Sequence, residues 1–384
     1  MKFNTLKAND FCDSVRDGTH DSPRKVEKGY KLITSKNIRE YGLDLENASE
    51  ISEEDFNKVN ARSLVEKNDI LYSMIGTIGL IHRVDYIPNY AIKNIGLFKI
   101  KDENKSKWLF YYLKTPKMRN YINSLLAGST QQYITLNNLR ELPIQVPENI
   151  SDMNKTLHIL ELIDKKITYN MHTNNNLQEL LLSQYKLYFE NKESNGKLKD
   201  IVEKMNRTIK KDKINKILKY YPIDVLPKNN IVLQDGKNIE EAQSSLIEFN
   251  KNEILVGAMR VYFHRVCLTN SSGITRNTTF VLKPKKEDYL YYALLTLYQD
   301  SFIDYASITS KGTTMPYAVW ENVCSEFDIY IPTEEELEDF NIICKSIINK
   351  MNINQAENQN LGQIRDTLLP KLMNGEIDLD KVEI

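Results

Sequence analysis

The chain repeats itself. Lys67-Asn-Asp-Ile-Leu71 returns 184 positions later as Lys251-Asn-Glu-Ile-Leu255. At the same shift Lys99 meets Lys283, each closing an apolar run. Ala127-Gly-Ser-Thr-Gln-Gln-Tyr133 meets Lys311-Gly-Thr-Thr-Met-Pro-Tyr317, and Asn174-Asn-Asn-Leu177 meets Asn358-Gln-Asn-Leu361. Between these anchors the register slips by about three, so that Trp108-Leu-Phe-Tyr-Tyr-Leu113 pairs with Tyr289-Leu-Tyr-Tyr-Ala-Leu294. One register recurring at separate places identifies a tandem duplication, which constrains the fold to two like halves. With 384 residues, two or three domains of about 150 residues are expected.

Each copy has a mixed part and a helical part. In copy one Lys31–Thr34, Asp69–Ile75, Gly96–Ile100 and Pro143–Pro147 read as short strands bounded by Gly, Pro or Asn. Thr115-Pro116 opens a helix with a cap residue and a first-turn proline, running to about Leu126. Copy two follows with strands at Glu253–Val256 and Thr279–Lys283, a helix from about Asp288 to Gln299, and a strand over Phe327–Pro332. A long helix then follows in each copy. From Ser151 to Phe189, Met153, Leu157, Leu160, Ile167, Met171, Leu181, Tyr185 and Tyr188 form a seven-residue ladder whose gaps hold Asp164, Asn174 and Gln178. In copy two Thr333–Glu336 is a capping box. Phe340, Cys344, Ile347, Met351, Leu361, Leu368 and Leu372 continue the ladder, with Asn354, Asn358 and Arg365 on it and Pro370 threatening the last turn. Both helices turn polar at their middles, which points to pairing with each other. The expected fold is α+β: two mixed α/β domains in tandem, pseudo-two-fold arrangement, separated by two long helices paired as an antiparallel coiled coil. The expected boundaries are 1–150, 151–192, 193–332 and 333–384.

Absent motifs narrow the chemistry. There is no phosphate-cradling Gly-x-x-x-x-Gly-Lys-Ser/Thr, no Gly-x-Gly-x-x-Gly, no Gly-x-Ser-x-Gly and no His-Glu-x-x-His. The amino-methyltransferase tetrapeptide Asn/Asp-Pro-Pro-Tyr/Phe is missing too, and no metal site is expected. The longest apolar run, Leu109–Leu113, is far below the roughly 18 residues of a membrane span. No secretory signal is read at Met1–Asp10, and four scattered cysteines fit a reducing cytoplasm. The net charge of −1 excludes a generally cationic coat, leaving local patches to meet phosphate. One such patch is 204–219, with Lys204, Arg207, Lys210, Lys211, Lys213, Lys216 and Lys219 against one acid, Asp212.

The sequence resembles the specificity subunits of type I restriction-modification systems. The likeness covers the whole chain. It rests on Asp17-Gly-Thr-His20 with Tyr30-Lys-Leu-Ile-Thr-Ser-Lys-Asn-Ile38, on Asn68-Asp-Ile-Leu-Tyr-Ser-Met-Ile-Gly-Thr-Ile-Gly79, and on Gly128-Ser-Thr-Gln-Gln-Tyr-Ile-Thr-Leu-Asn-Asn-Leu139 leading to Leu142–Pro147. Copy two departs from it, with Gly257-Ala-Met-Arg-Val-Tyr-Phe263 lacking the two glycines and Met315-Pro316 replacing Gln131-Gln132. The resemblance implies a chain without catalysis of its own. Each target-recognition domain would read one half of a bipartite double-stranded DNA site, and the helices would set the gap. Two methyltransferase subunits would dock on the helices and restriction-translocation subunits would join. S-adenosylmethionine, ATP and magnesium would belong to those partners, so that no cofactor is expected in this chain.

Reading bases calls for amides, hydroxyls and arginines on presented loops, while lysines hold phosphates. In copy one the candidates are Thr19, His20, Lys36, Asn37, Ser73, Thr77, Ser129, Thr130, Gln131 and Gln132. In copy two they are Arg260, Tyr262, His264, Arg276, Asn277, Lys311, Thr313 and Thr314. Other readings are a specificity subunit of a methylation-only complex, a self-contained methyltransferase with a degenerate cofactor site, and a coiled-coil adaptor with no DNA role.

Overall fold

Ten strands in each copy carry the framework of the mixed domains. The computed structural model describes residues 1–128, 131–215, 217–243 and 245–379. In copy one the strands are β1 (Phe3–Lys7), β2 (Ser14–Asp17), β3 (Lys25–Val26), β4 (Tyr30–Ile33), β5 (Ser49–Ile51), β6 (Ile70–Ser73), β7 (Ile81–Arg83), β8 (Tyr90–Ile92), β9 (Ile95–Lys99) and β10 (Pro143–Pro147). In copy two they are β11 (Gly196–Lys197), β12 (Val202–Met205), β13 (Thr208–Ile209), β14 (Lys219–Tyr220), β15 (Leu246–Phe249), β16 (Ile254–Gly257), β17 (Val266–Leu268), β18 (Gly273–Arg276), β19 (Thr279–Pro284) and β20 (Asp328–Ile329). A further short hairpin, Ile38–Arg39 with Gly42–Leu43, belongs to copy one. The chain divides into two compact units: Met1–Thr168 with Leu361–Ile384, and Tyr169–Asn360.

In the first unit β2-β9-β6-β7 form an antiparallel sheet, and β8-β4-β5-β3 a mixed one in which β8 and β4 run parallel. β6 is buried along its whole length, which accounts for its apolar run Ile70-Leu-Tyr72. The repeated Lys-Asn-acid motif enters it. Asn68 takes a left-handed φ of 71°, and Asp69, buried, accepts from the Glu66 N–H and from the Lys99 ammonium 2.7 Å away. Thr115 caps the helix Pro116–Ser124 through the Met118 N–H, as its sequence predicts. Trp108, Leu109, Tyr111 and Tyr112 of the preceding helix, Glu103–Lys114, face the core.

Into the same core project Met153, Leu157 and Leu160 from the first long helix, Ile150–Phe189, and Leu369, Leu372 and Met373 from the second, Glu334–Met373. Asp164 and Arg365 meet across this seam at 3.0 Å, and the Tyr111 hydroxyl donates to the other Asp164 oxygen at 2.9 Å. The helix runs through Pro370, contrary to the threatened break. Buried Leu369, Leu372 and Met373 hold the turn, and it closes only at Gly375 (φ 71°), whose N–H donates to Leu372 O.

The second unit repeats the antiparallel sheet as β12-β19-β16-β17. Asn252 repeats the left-handed entry turn (φ 63°), and Glu253 takes the place of Asp69 with Arg207 as its partner instead of a strand lysine. The helix expected over Asp288–Gln299 forms as Leu290–Leu297, and a second, unexpected helix, Asp300–Ile308, follows it. The strand expected over Phe327–Pro332 shrinks to β20, which pairs only with the two residues of β11. The mixed sheet is wired differently, in the order β13-β15-β18-β14. Here too the long helices run antiparallel. Asn170 donates to Asn358 at 2.9 Å, Asn354 donates to Asn174 at 2.9 Å, Asn174 donates to Met351 O at 3.0 Å, and the rings of Tyr188 and Phe340 lie 5.5 Å apart. Met171, expected on the ladder, is exposed because buried Asn170 and Asn174 occupy the seam beside it. Gln178 turns instead to Ile231 and Tyr298. The Thr333 capping box forms as expected: Glu336 N–H donates to Thr333 Oγ1, and Thr333 N–H to Glu336 Oε2. Hydrogen bonding to the Lys192 ammonium, with the capping bond, holds the Glu336 carboxyl down at about 2.

Candidate DNA-binding loops

In each unit two loops are fastened together by one tyrosine. In the first unit Tyr133 exchanges both backbone hydrogen bonds with Ala127 at 2.9 Å and bridges to Ile75, while Ile134 N–H donates to Met74 O. In the second unit Tyr317 exchanges both bonds with Lys311 at 2.9 Å and bridges to Met259, while Ala318 N–H donates to Ala258 O. Every partner is displaced by 184 residues. Gly128 and Gly312 turn the second loop with φ of 92° and 90°, a conformation that favours glycine. The shared Gly of the repeat is therefore a backbone requirement, while the residues between it and the stitch are free to differ.

The first of these loops, joining β6 to β7, is closed by Ser73. Its hydroxyl donates to Thr77 O at 2.6 Å and accepts from Leu80 N–H at 2.8 Å, while Gly76 and Gly79 supply left-handed turns. Ser73 is thus buried in the turn, whereas Thr77 is exposed. Asn37 is also buried. It accepts from the Thr34 backbone and hydroxyl and donates to Asp44 O, fixing the turn that presents exposed Lys36. Lys36, Asn37, Thr77 and Gln131 line one cleft of about 520 Å³. Gln132 is exposed beside Gln131. Ser129 and Thr130 lie outside the described residues. Thr19 bridges to Lys93, and His20 places its ring nitrogens 2.8 Å from Asn94 Oδ1 and 3.0 Å from Asp17 Oδ2.

Lys25, Lys93 and Asn94 also line this cleft and were not among the sequence candidates. Asn94 carried a usable signal, an Asn before Ile-Gly in a strand-rich stretch, and it takes a left-handed φ of 52°. The cleft therefore combines three ammonium groups with amides and hydroxyls. That set suits a phosphate backbone and base edges, and among the described residues no paired acid and base faces it.

In the second unit the loop from β16 to β17 has no glycine turn. A single 3-10 turn, Val261–Phe263, lies between Arg260 and His264, each left-handed with φ of 50°. His264 is turned inward. Its Nε2–H donates to Tyr298 O at 2.9 Å and its ring lies 4.4 Å from that of Tyr298, and burial holds the imidazole below its ordinary pKa. Tyr262 points out, 51% exposed. The turn after β18 joins the group through Ala258 N–H and Thr278 O, with Arg276 half-buried and Asn277 exposed. Lys311, Thr313 and Thr314 are exposed on the second loop.

The basic run at 204–219 is largely committed to its own surroundings. Lys204 pairs with Glu321 at 2.8 Å, Arg207 with Glu253, and Lys219 with Asp235 at 3.4 Å. Lys210 and Lys213 stay exposed, and Lys216 lies outside the described residues. Among the described residues no group of His, Cys, Asp or Glu could hold a metal ion, and no helix is long and apolar enough to cross a membrane.

Known proteins share this design. The sequence profile described as "Type I restriction modification DNA specificity domain" matches residues 2–179. The MjaIX specificity subunit of a type I restriction enzyme from Methanocaldococcus jannaschii is 24% identical over 392 aligned positions, covering 93% of this chain and 84% of that protein. The HindI specificity subunit of Haemophilus influenzae is 31% identical over 112 positions, 29% of this chain and 24% of its own length. The crystal structure of the S subunit of a type I restriction-modification system from M. genitalium superposes with a TM-score of 0.57 at 16% identity, over 97% of this chain and 96% of that one, and shares the fold. Specificity subunits are non-catalytic components of their systems. Residues 2–179 thus match the type I restriction modification DNA specificity domain, and over nearly its whole length the chain is similar to a type I specificity subunit.

Proposed function

We propose that this chain reads a bipartite double-stranded DNA target, each mixed domain taking one half-site through its tyrosine-stitched loops. The observation that carries the reading is the repeated stitch: Tyr133 with Ala127 and Ile75, Tyr317 with Lys311 and Met259. The backbone frame recurs while the side chains mounted on it differ. Two unlike half-sites call for that combination. In this reading the paired long helices set the unread gap and carry two methyltransferase subunits, restriction-translocation subunits complete the complex, and the assembly works on genomic DNA in the cytoplasm. S-adenosylmethionine, ATP and magnesium serve the partners.

The test is a map of methylated positions in the host genome with and without this chain. A two-part motif that disappears with the chain is the expected result, and an unchanged map overturns the reading. The spacing role has its own test. Removing one turn of four residues from both helices at facing positions, 170–173 and 355–358, shortens the pair by about 6 Å. The unread gap is expected to contract by about two base pairs, at roughly 3.4 Å each, with both half-site sequences intact. Altered half-site sequences would refute the spacer role.

A further inference from the structure

The two copies differ most sharply at one backbone position. Gly76 and Arg260 are 184 residues apart and occupy the same place after the central strand of the antiparallel sheet. Both are left-handed, with φ of 77° and 50°. For glycine this conformation carries no strain; for arginine it crowds Cβ against the backbone. The turn is held in place by the Arg260 N–H, which donates to Pro316 O at 2.7 Å, and by Phe263 N–H donating back to Arg260 O at 2.9 Å. Both bonds belong to the backbone, so glycine would make them equally well.

The side chain is half-buried but makes no polar contact that would offset the strain. Among the described residues the Arg260 guanidinium has no hydrogen bond, ion pair or ring contact. In copy one a Cβ added at Gly76 would meet nothing within 4 Å, so this corner of the frame opens outward. Around Arg260 stand Tyr262, Met315 and Tyr317, each about half exposed. An unpaired planar fork of donors is thus held by a strained backbone at the tip of a loop pair, among exposed aromatic surface. Backbone strain held at a residue whose charged head has no polar partner points to a functional role. The partner that matches such a fork on a DNA duplex is the O6/N7 edge of guanine.

We propose that Arg260 is a specificity-determining residue that reads a guanine in the half-site of the second unit, and that the first unit, with Gly76 at the same place, makes no such contact. The assignment rests on the specificity-subunit reading above.

The test uses the full-length chain with its methyltransferase partners, in a host whose methylated motif is mapped, for wild type, Arg260→Gly and Arg260→Lys. Arg260→Gly is expected to relax one guanine position in one half of the motif. Discrimination there should fall roughly 10- to 100-fold, with the other half untouched. Arg260→Lys keeps the charge but not the fork and should relax the same position. The unfolding temperature of Arg260→Gly should be unchanged or about 1–2 °C higher, because the strain is relieved. A lowered unfolding temperature would instead assign Arg260 to the fold. A motif that keeps its guanine in both variants overturns the assignment. So does weakening spread evenly over all positions with rescue by lysine, the mark of a phosphate contact. A wild-type chain that yields no bipartite motif would remove the specificity-subunit reading and this assignment together.

Discussion

The two mixed domains share one sheet and differ in the other. The antiparallel sheet is the same in both, down to the register that sets Leu71 opposite His82 and Leu255 opposite Cys267. In the mixed sheets a parallel pair is conserved, β4 with β8 and β14 with β18, but its members trade places. β4 lies inside in the first unit, and the counterpart of β8, β18, lies inside in the second. Strand length goes with the exchange. β4 has four residues to the three of β8, and β18 has four to the two of β14. The longer strand takes the inner position, where both of its edges find partners. A duplicated domain can thus keep a rigid base that holds the loops while rewiring the layer beside it.

The helix seams differ in the same spirit. The first unit bridges its seam with an ion pair, Asp164–Arg365, the second with amides, Asn170, Asn174, Asn354 and Asn358. Asp164→Ala should expose that difference most strongly. It leaves the Arg365 head, 8% exposed, with only Tyr41 and more exposed acids. A loss of about 3–4 kcal/mol in urea unfolding is expected, whereas an effect below about 1 kcal/mol would mean the pair contributes little.

Acid should divide the two sheets next. Burial holds the His82 imidazole down at about 4, and its Nε2 is buried without a hydrogen-bond partner among the described residues. The unfolded chain takes up its proton near pH 6.5, well before the native one, so stability falls as pH drops from about 6.5 to about 4 and levels off below. The full effect of this group is up to about 3 kcal/mol. His82→Cys, which copies the second unit at this register, should flatten that arm of the urea-midpoint profile. An unchanged profile would place the acid sensitivity elsewhere.

A smaller contrast lies in the loop glycines. An added Cβ would stand 2.4 Å from Gln131 O at Gly128 but 3.5 Å from Met315 O at Gly312, at nearly equal φ. Gly128→Ala should therefore cost about 2–3 kcal/mol and Gly312→Ala about 1 kcal/mol. Equal costs would show that the first loop relaxes around the methyl group.

Much of this architecture was legible in the chain itself. Identity at a fixed shift of 184 gave the duplication, because Asn68/Asn252 and Gly128/Gly312 are left-handed positions that tolerate few substitutions. The heptad ladder gave both long helices within a residue or two, and its polar gaps at Asp164, Asn174, Asn354, Asn358 and Arg365 gave the seam, since helical periodicity is local. Four other features needed the tertiary structure: the mixed sheets, the helix Asp300–Ile308, the inward turn of His264 and Asn37, and the cleft that adds Lys25, Lys93 and Asn94 to the predicted set. The mixed-sheet strands are two to four residues long and pair with partners far along the chain. No local period marks them, and burial of a side chain is settled only when distant segments close over it.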